Sequence, residues 1–381
     1  MNLKRMLPIL VSFGLTSIGT VYAGPFVIKD RTFGSAFPAA LQTELNTVFN
    51  DVETQVNTLL PNTGSDTNNY AKGMADSGVM AAKGLGVDYA THPDLVILGA
   101  GVGVAGDLGG SSLSNVMNGT VKSTQIRGVG IQASLMAGVN LGYFTDAELG
   151  PIHLNKLKVF TNFLTKDLPS SGGLKGDMTD FGLHFQYDFF EEVSLPWGFI
   201  KWHGLQLTTG FEYSALDVKF TKAIDKTTSK TVDVSSVTSV TGQTATATAR
   251  FNGTANVGAD TSVKSIPIEI STSARILYVL TPFVGLGGDF NFGSAKTTAN
   301  ISGPVTITDS LGVFSTANNT NVSATASLPL DSRGTIKPDT FSARWFGGLQ
   351  INIFLVKIYA QVNQSLTNDT LGVNAGLRLA W

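Results

Sequence analysis

The chain has 381 residues, of which 43% are hydrophobic, 14% are charged and 42 are glycine, with no cysteine. So little charge beside 9% aromatics excludes a disordered chain, and the missing cysteines exclude a disulfide-stapled scaffold. A formal charge of −2 gives no electrostatic footprint for nucleic acid.

Residues 1–23 join Lys4 and Arg5 to an apolar stretch from Met6 to Val21 and a small-x-Ala site, Val21-Tyr22-Ala23, ahead of Gly24. This is the pattern of a secretory signal peptide. Its removal leaves 358 residues with 24 basic and 28 acidic groups, a net −4, and no cysteine at the cut to carry a lipid. Downstream, no apolar run reaches the roughly 18 residues of a transmembrane helix. The longest candidates, 276–288 and 345–362, are broken by Pro282 and by Gln350, Asn352 and Lys357.

From Pro38 to Leu60, Leu41, Leu45, Val48, Val52, Val56 and Leu59 recur every three to four residues, which predicts an amphipathic helix between Pro38 and Pro61. At about 1.5 Å per residue it approaches the thickness of a membrane core. Two placements follow, a plug threading a lumen or a helix in the periplasm. Residues 78–89, with Val79, Leu85, Val87 and Tyr89, could form a descending strand.

The rest of the chain is dominated by period-two alternation, the mark of strands with one apolar and one polar or small face. It runs through 125–141, 181–189, 205–215, 266–280, 284–292 and 341–353, swaps phase near Phe354, and ends in Leu371, Val373, Ala375, Leu377, Leu379 and Trp381. Strands from residue 94 onward number ten. Repeated segments of about ten residues are the signature of a transmembrane β-barrel. The predicted fold is all-β, an antiparallel barrel of about 10–14 strands with an N-terminal amphipathic helix. It divides the chain into a signal peptide at 1–23, a helix-bearing segment at 24–75 and a barrel at 76–381.

With the C-terminus at the periplasm, short turns fall near 354, 281, 193–200, 142–151 and 90–93, and most of the long connections fall on the opposite side. Tyr143, Phe144, Trp197, Phe199, Trp202 and Trp381 gather at the periplasmic boundary as an interfacial girdle. The connections at 221–265 and 294–335 are rich in Thr, Ser, Ala and Asn, as in Thr244-Ala245-Thr246-Ala247-Thr248, and predict extended hairpins above the membrane.

Little in the chain predicts an enzyme. Gly101-Val102-Gly103-Val104-Ala105-Gly106 has dinucleotide-binding spacing but no following helix, and His92, His153, His184 and His203 are too scattered for a metal. No cofactor is expected. The residues opposite the apolar face include His184, Asp188, Glu212, Glu269, Arg275, Asp289, Arg344, Lys357 and Arg378, predicted to line the lumen. Their mixed charges can set a transverse field across a water path or pair as a structural network.

The exported chain, the terminal amphipathic strand and the one-sided loops resemble Gram-negative outer-membrane β-barrels. The resemblance implies that Leu377, Leu379 and Trp381 form the signal read by the barrel assembly machinery. It also implies outer-membrane lipid and lipopolysaccharide as surroundings. The function expected first is a porin-like diffusion channel for small solutes. The alternatives are a surface adhesin whose long loops bind host or other surface ligands, and a plugged transporter of hydrophobic molecules, which the chain is similar to in arrangement alone.

Overall fold

The computed structural model describes residues 27–33, 37–59, 67–90, 95–110, 118, 126–168, 170, 173–190, 192–195, 199–312, 323–331 and 335–381. The signal peptide, His92 and Trp197 lie outside these residues. Two long helices precede the barrel wall, α1 (Ala39–Leu59) and α2 (Thr67–Ala82). The wall is β1 (Val96–Asp107), β2 (Gly128–Asn140), β3 (Leu157–Asp167), β4 (Leu174–Asp188), β5 (Ile200–Asp233), β6 (Thr244–Ile276), β7 (Leu280–Asp309), β8 (Phe341–Ile353), β9 (Val356–Ser365) and β10 (Thr370–Ala380). Each pairs antiparallel with its neighbours in sequence, and β10 returns to β1 through pairs such as Val373↔Val104. Ten strands therefore close a ring with no free edge at membrane depth, the one sheet solution that satisfies backbone groups in lipid.

The wall is inside out relative to a water-soluble protein. Leu135, Phe163 and Leu286 are 57%, 59% and 62% exposed, whereas Gln132, Asn162, Arg344 and Arg378 are buried. An apolar outer belt around a polar interior is what a hydrocarbon solvent selects. At the end that carries Trp381, the rings of Tyr143, Phe144, Phe199, Phe354 and Trp381 point outward, and the short turn at 354–355 joins β8 to β9. Leu377 and Leu379 also face outward, in phase with Trp381.

Beyond the opposite end, the ring gives way to a projecting sheet. The pairing of β4 with β5 stops at Leu174↔Phe220, but β5 and β6 continue together to Asp233↔Thr244. At about 3.3 Å per residue the extra stretch, 221–233, projects roughly 40 Å. The stretches read as connecting hairpins are thus largely strand. The sheet gains β7, then a strand at Ser323–Asp331 and finally one at Ile28–Thr32.

Helix α1 packs on this projection and does not thread the lumen as a plug. Its Leu41, Leu45, Val48, Phe49 and Val52 form one buried core with Val232, Ala245, Ala247, Ala249, Phe251, Val305 and Ile307. The Thr-Ala alternation of β6 explains the contact. Period two sends the alanines to one face, where small side chains let a helix approach, and leaves Thr246 exposed on the other. Polar residues of α1 fasten the edge strand, because Arg31 donates to Asn50 Oδ1 at 2.9 Å and to Glu53 Oε1 at 2.6 Å and lies over the Phe49 ring. From the other side, Glu44 Oε2 accepts the Asp233 backbone N–H at 2.9 Å.

Phe49→Ala should weaken this helix-on-sheet core by roughly 3 kcal/mol. Limited proteolysis of the variant should then cut within 27–59 while the barrel keeps its heat-dependent gel shift. Equal protection of wild type and variant would count against this packing.

Candidate functional site

The lumen is occupied by residues 67–90. Helix α2 enters at the end facing the projection and the following segment, 83–90, runs on toward the Trp381 end. The strand considered for 78–89 does not form. A ten-stranded ring leaves little room, and α2 fits because it is narrow, with Ala71, Gly73, Ala75, Gly78, Ala81 and Ala82 along its length. The wall yields space at matching glycines. A Cβ on Gly128 would lie 2.2 Å from Gly73 C, one on Gly130 2.3 Å from Ser77 O, and one on Gly103 2.0 Å from Ala81 O.

Other inward glycines are filled from the neighbouring strand. Aromatic rings cover Gly138 (Phe160), Gly285 (Phe346), Gly348 (Phe283) and Gly376 (Tyr359), each so closely that a Cβ would collide. Such cross-strand cover of glycine is a recognised way of holding a curved sheet. Tyr89 stacks on Phe283 and packs at 4.6 Å on Phe346, so an aromatic layer closes the lumen near the Trp381 end.

Charge completes the fit. Glu212, Glu269 and Asp289 on the wall are all buried, and Arg344, also buried, donates to Asp289 Oδ2 at 2.9 Å and to Glu269. Lys83, directly after α2, adds the missing positive charge with Nζ 2.5 Å from Glu212, 2.8 Å from Asp289 and 2.8 Å from Ser265 Oγ. Tyr89 donates its hydroxyl to Glu269 Oε2 at 2.7 Å. Lower down, Arg378 pairs with Asp88 at 2.9 Å, donates to Val87 O at 2.6 Å and stacks 3.7 Å over Tyr359. Buried ion pairs of this kind tolerate no missing partner, because the remaining charge would stand unneutralised in a medium of low polarity.

The residues singled out from alternation thus separate. Glu212, Glu269, Asp289, Arg344 and Arg378 meet the plug. His184 lies inside the wall against Gly86 and Asn162, where neither ring nitrogen makes a hydrogen bond among the described residues. Asp188 pairs with Lys158 at 2.9 Å, and with Arg275 and Lys357 it lines a cavity of about 800 Å³ at the Trp381 end. Lys83 and Asp88 escaped the sequence reading, which took Tyr89 for a strand residue. Two charges in the otherwise small and apolar stretch 78–90 were their signal.

At the other end a latch holds α2. Lys72 bridges Asp76 at 2.9 Å and Asp339 at 2.8 Å, and the Asp339 N–H donates to Asp76 Oδ1 at 2.8 Å. Partial burial alone would raise the Asp339 carboxyl, but hydrogen bonds from Lys72 and Asn368 outweigh it and hold it below the usual carboxylate range.

A closed antiparallel ring with an apolar belt and a polar, filled interior defines a transmembrane β-barrel of the outer-membrane type. The chain belongs to the Lsa36-like family, whose model matches residues 21–381. No curated protein matches. Among solved structures, the toluene transporter TodX of P. putida is 8% identical over 82% of this chain and 99% of its own, with a TM-score of 0.25. The beta domain of the Bordetella autotransporter BrkA is 10% identical over 75% and 100%, at 0.25. LpxR from Salmonella typhimurium is 10% identical over 74% and 100%, at 0.24. Scores this low carry no argument, and the class rests on the ring itself.

Lys83→Met should destabilise the filled barrel by roughly 3–5 kcal/mol, since Glu212 and Asp289 lose their shared cation. A gel-shift temperature equal to wild type would contradict the network. The contribution of Asp339 to the latch should respond to acid in a defined direction. A depressed carboxylate stabilises above its unfolded pKa, about 3.9, and that contribution is lost as pH falls through the lower folded value. Hydrogen-exchange protection at 67–76, taken relative to the intrinsic rate at each pH, should therefore fall in strong acid, and Asp339→Asn should show the lower protection already at neutral pH.

Proposed function

We propose that this protein is a closed outer-membrane barrel that anchors a surface-interaction platform, the adhesin-like alternative of the sequence reading. The observation that carries the proposal is the pairing of a filled lumen with a structured projection. A diffusion channel needs a water path, whereas residues 67–90 here neutralise wall charges and meet wall glycines backbone to backbone. Transport would require that whole network to be dismantled.

With Trp381 at the periplasmic side, the chain order supports this reading. The segment 83–90 sits near the periplasmic end, α2 climbs the lumen, and α1 and the strand Ile28–Thr32 lie on the outside. The plug is then also the tether that brings α1 and the strand Ile28–Thr32 to the projecting sheet. The partner this surface suits is an extracellular macromolecule, met by a broad and largely uncharged Thr, Ser and Asn face.

Conductance of the mature protein in planar bilayers tests the closed barrel, with Gly130→Val as the positive control because its side chain must displace the Ser77 carbonyl. Wild type should be silent and the variant should open. Steady openings of wild type would return the diffusion channel to first place. Surface display is tested by an Asp51→Cys variant in intact cells, which a membrane-impermeant maleimide should label, and labelling confined to lysed cells would refute the platform.

A further inference from the structure

The cavity at the Trp381 end lies outside the plug network and has its own chemistry. Its volume of about 800 Å³ is within the range of small-molecule sites. Five basic side chains line it, Lys156, Lys158, Lys201, Arg275 and Lys357, against two acids, Asp188 and Glu192. Both acids are already engaged, Asp188 with Lys158 at 2.9 Å and Glu192 with Lys201. Arg275 and Lys357 have no carboxylate in ion-pair range among the described residues. Arg275 lies 5.3 Å over the Tyr278 ring, and Lys357 donates to the Phe354 carbonyl at 2.6 Å. The floor is Ala90 of the plug, and His203 and Thr281 add buried polar groups to the wall.

A concave site with a net excess of positive charge focuses its field on the opening and concentrates anions there. Arginine presents a planar fork suited to carboxylate or phosphate oxygens, and lysine adds a movable point charge. We propose that this cavity binds a small organic polyanion bearing carboxylate or phosphate groups, with Arg275 and Lys357 as the residues that hold it. The site opens on the Trp381 end, away from the platform, so it stands whether or not the platform reading does.

The test is calorimetric titration of the folded full-length mature protein in detergent at low salt, with citrate as the carboxylate probe, pyrophosphate as the phosphate probe and glucose as the neutral control. Saturable binding of either anion, weakened by added sodium chloride, is the expected result, and the better probe identifies the preferred group. The double variant Arg275→Gln, Lys357→Gln should lose affinity by about tenfold or more, since both charges act at short range, while Arg275→Lys, which keeps the charge and loses the planar fork, should fall between the double variant and wild type. Binding by neither anion, or equal binding by the double variant, would overturn the proposal. Should the double variant fail to fold, protection of Lys357 from acetylation in the wild-type protein, read by mass spectrometry with and without the tighter-binding anion, decides the same question. Protection supports the site and its absence refutes it.

Discussion

Three carboxylates of the barrel wall, Glu212, Glu269 and Asp289, stand in a buried space where Arg344 is the wall's own counter-charge, and the plug supplies further partners as Lys83 enters between Glu212 and Asp289 and the Tyr89 hydroxyl meets Glu269. In a medium of low polarity an excess carboxylate is costly by several kcal/mol. Wall and plug therefore require each other. The position of Lys83 fixes how far α2 sits along the lumen, and Asp88 with Arg378 repeats the constraint nearer the Trp381 end.

Steric fit reinforces the electrostatic one. The wall glycines fall into two sets that alternation alone does not distinguish. Gly103, Gly128 and Gly130 lie against the plug backbone, whereas Gly138, Gly285, Gly348 and Gly376 are roofed by aromatic rings from neighbouring strands. The first set admits a helix and the second seals the lumen beneath it. Together they turn a ring that could have held water into a packed interior, with an open cavity at the Trp381 end.

Beyond the opposite end, the same strands serve a different solvent. Within the ring, β5 and β6 are apolar outward and polar inward. Past Phe220 they become an ordinary half-buried sheet with a hydrophobic face covered by α1. The change is written in side-chain size. Leu, Ile and Phe give way to Ala and Thr, which suit close approach of a helix on one side and water on the other.

The barrel was legible in the sequence because alternation is local. A residue two positions on faces the same way, whatever the rest of the chain does, so the strands, a ring of about 10–14 of them and the outward phase of Leu377, Leu379 and Trp381 followed from spacing, and the structure fixes the number at ten. Helix α1 was likewise readable from Leu41, Leu45, Val48 and Val52, but its location was not, since an amphipathic stripe states that a face is buried and never against what. Helix α2 was hidden, because its small residues carry no strong period and Val87 and Tyr89, in the segment that follows it, imitate a strand. Which charges pair, which glycines are filled and which end holds a cavity were decided by tertiary structure alone. Those facts depend on residues as far apart as Asp88 and Arg378 meeting across a closed lumen, and no local pattern encodes a distance of that kind.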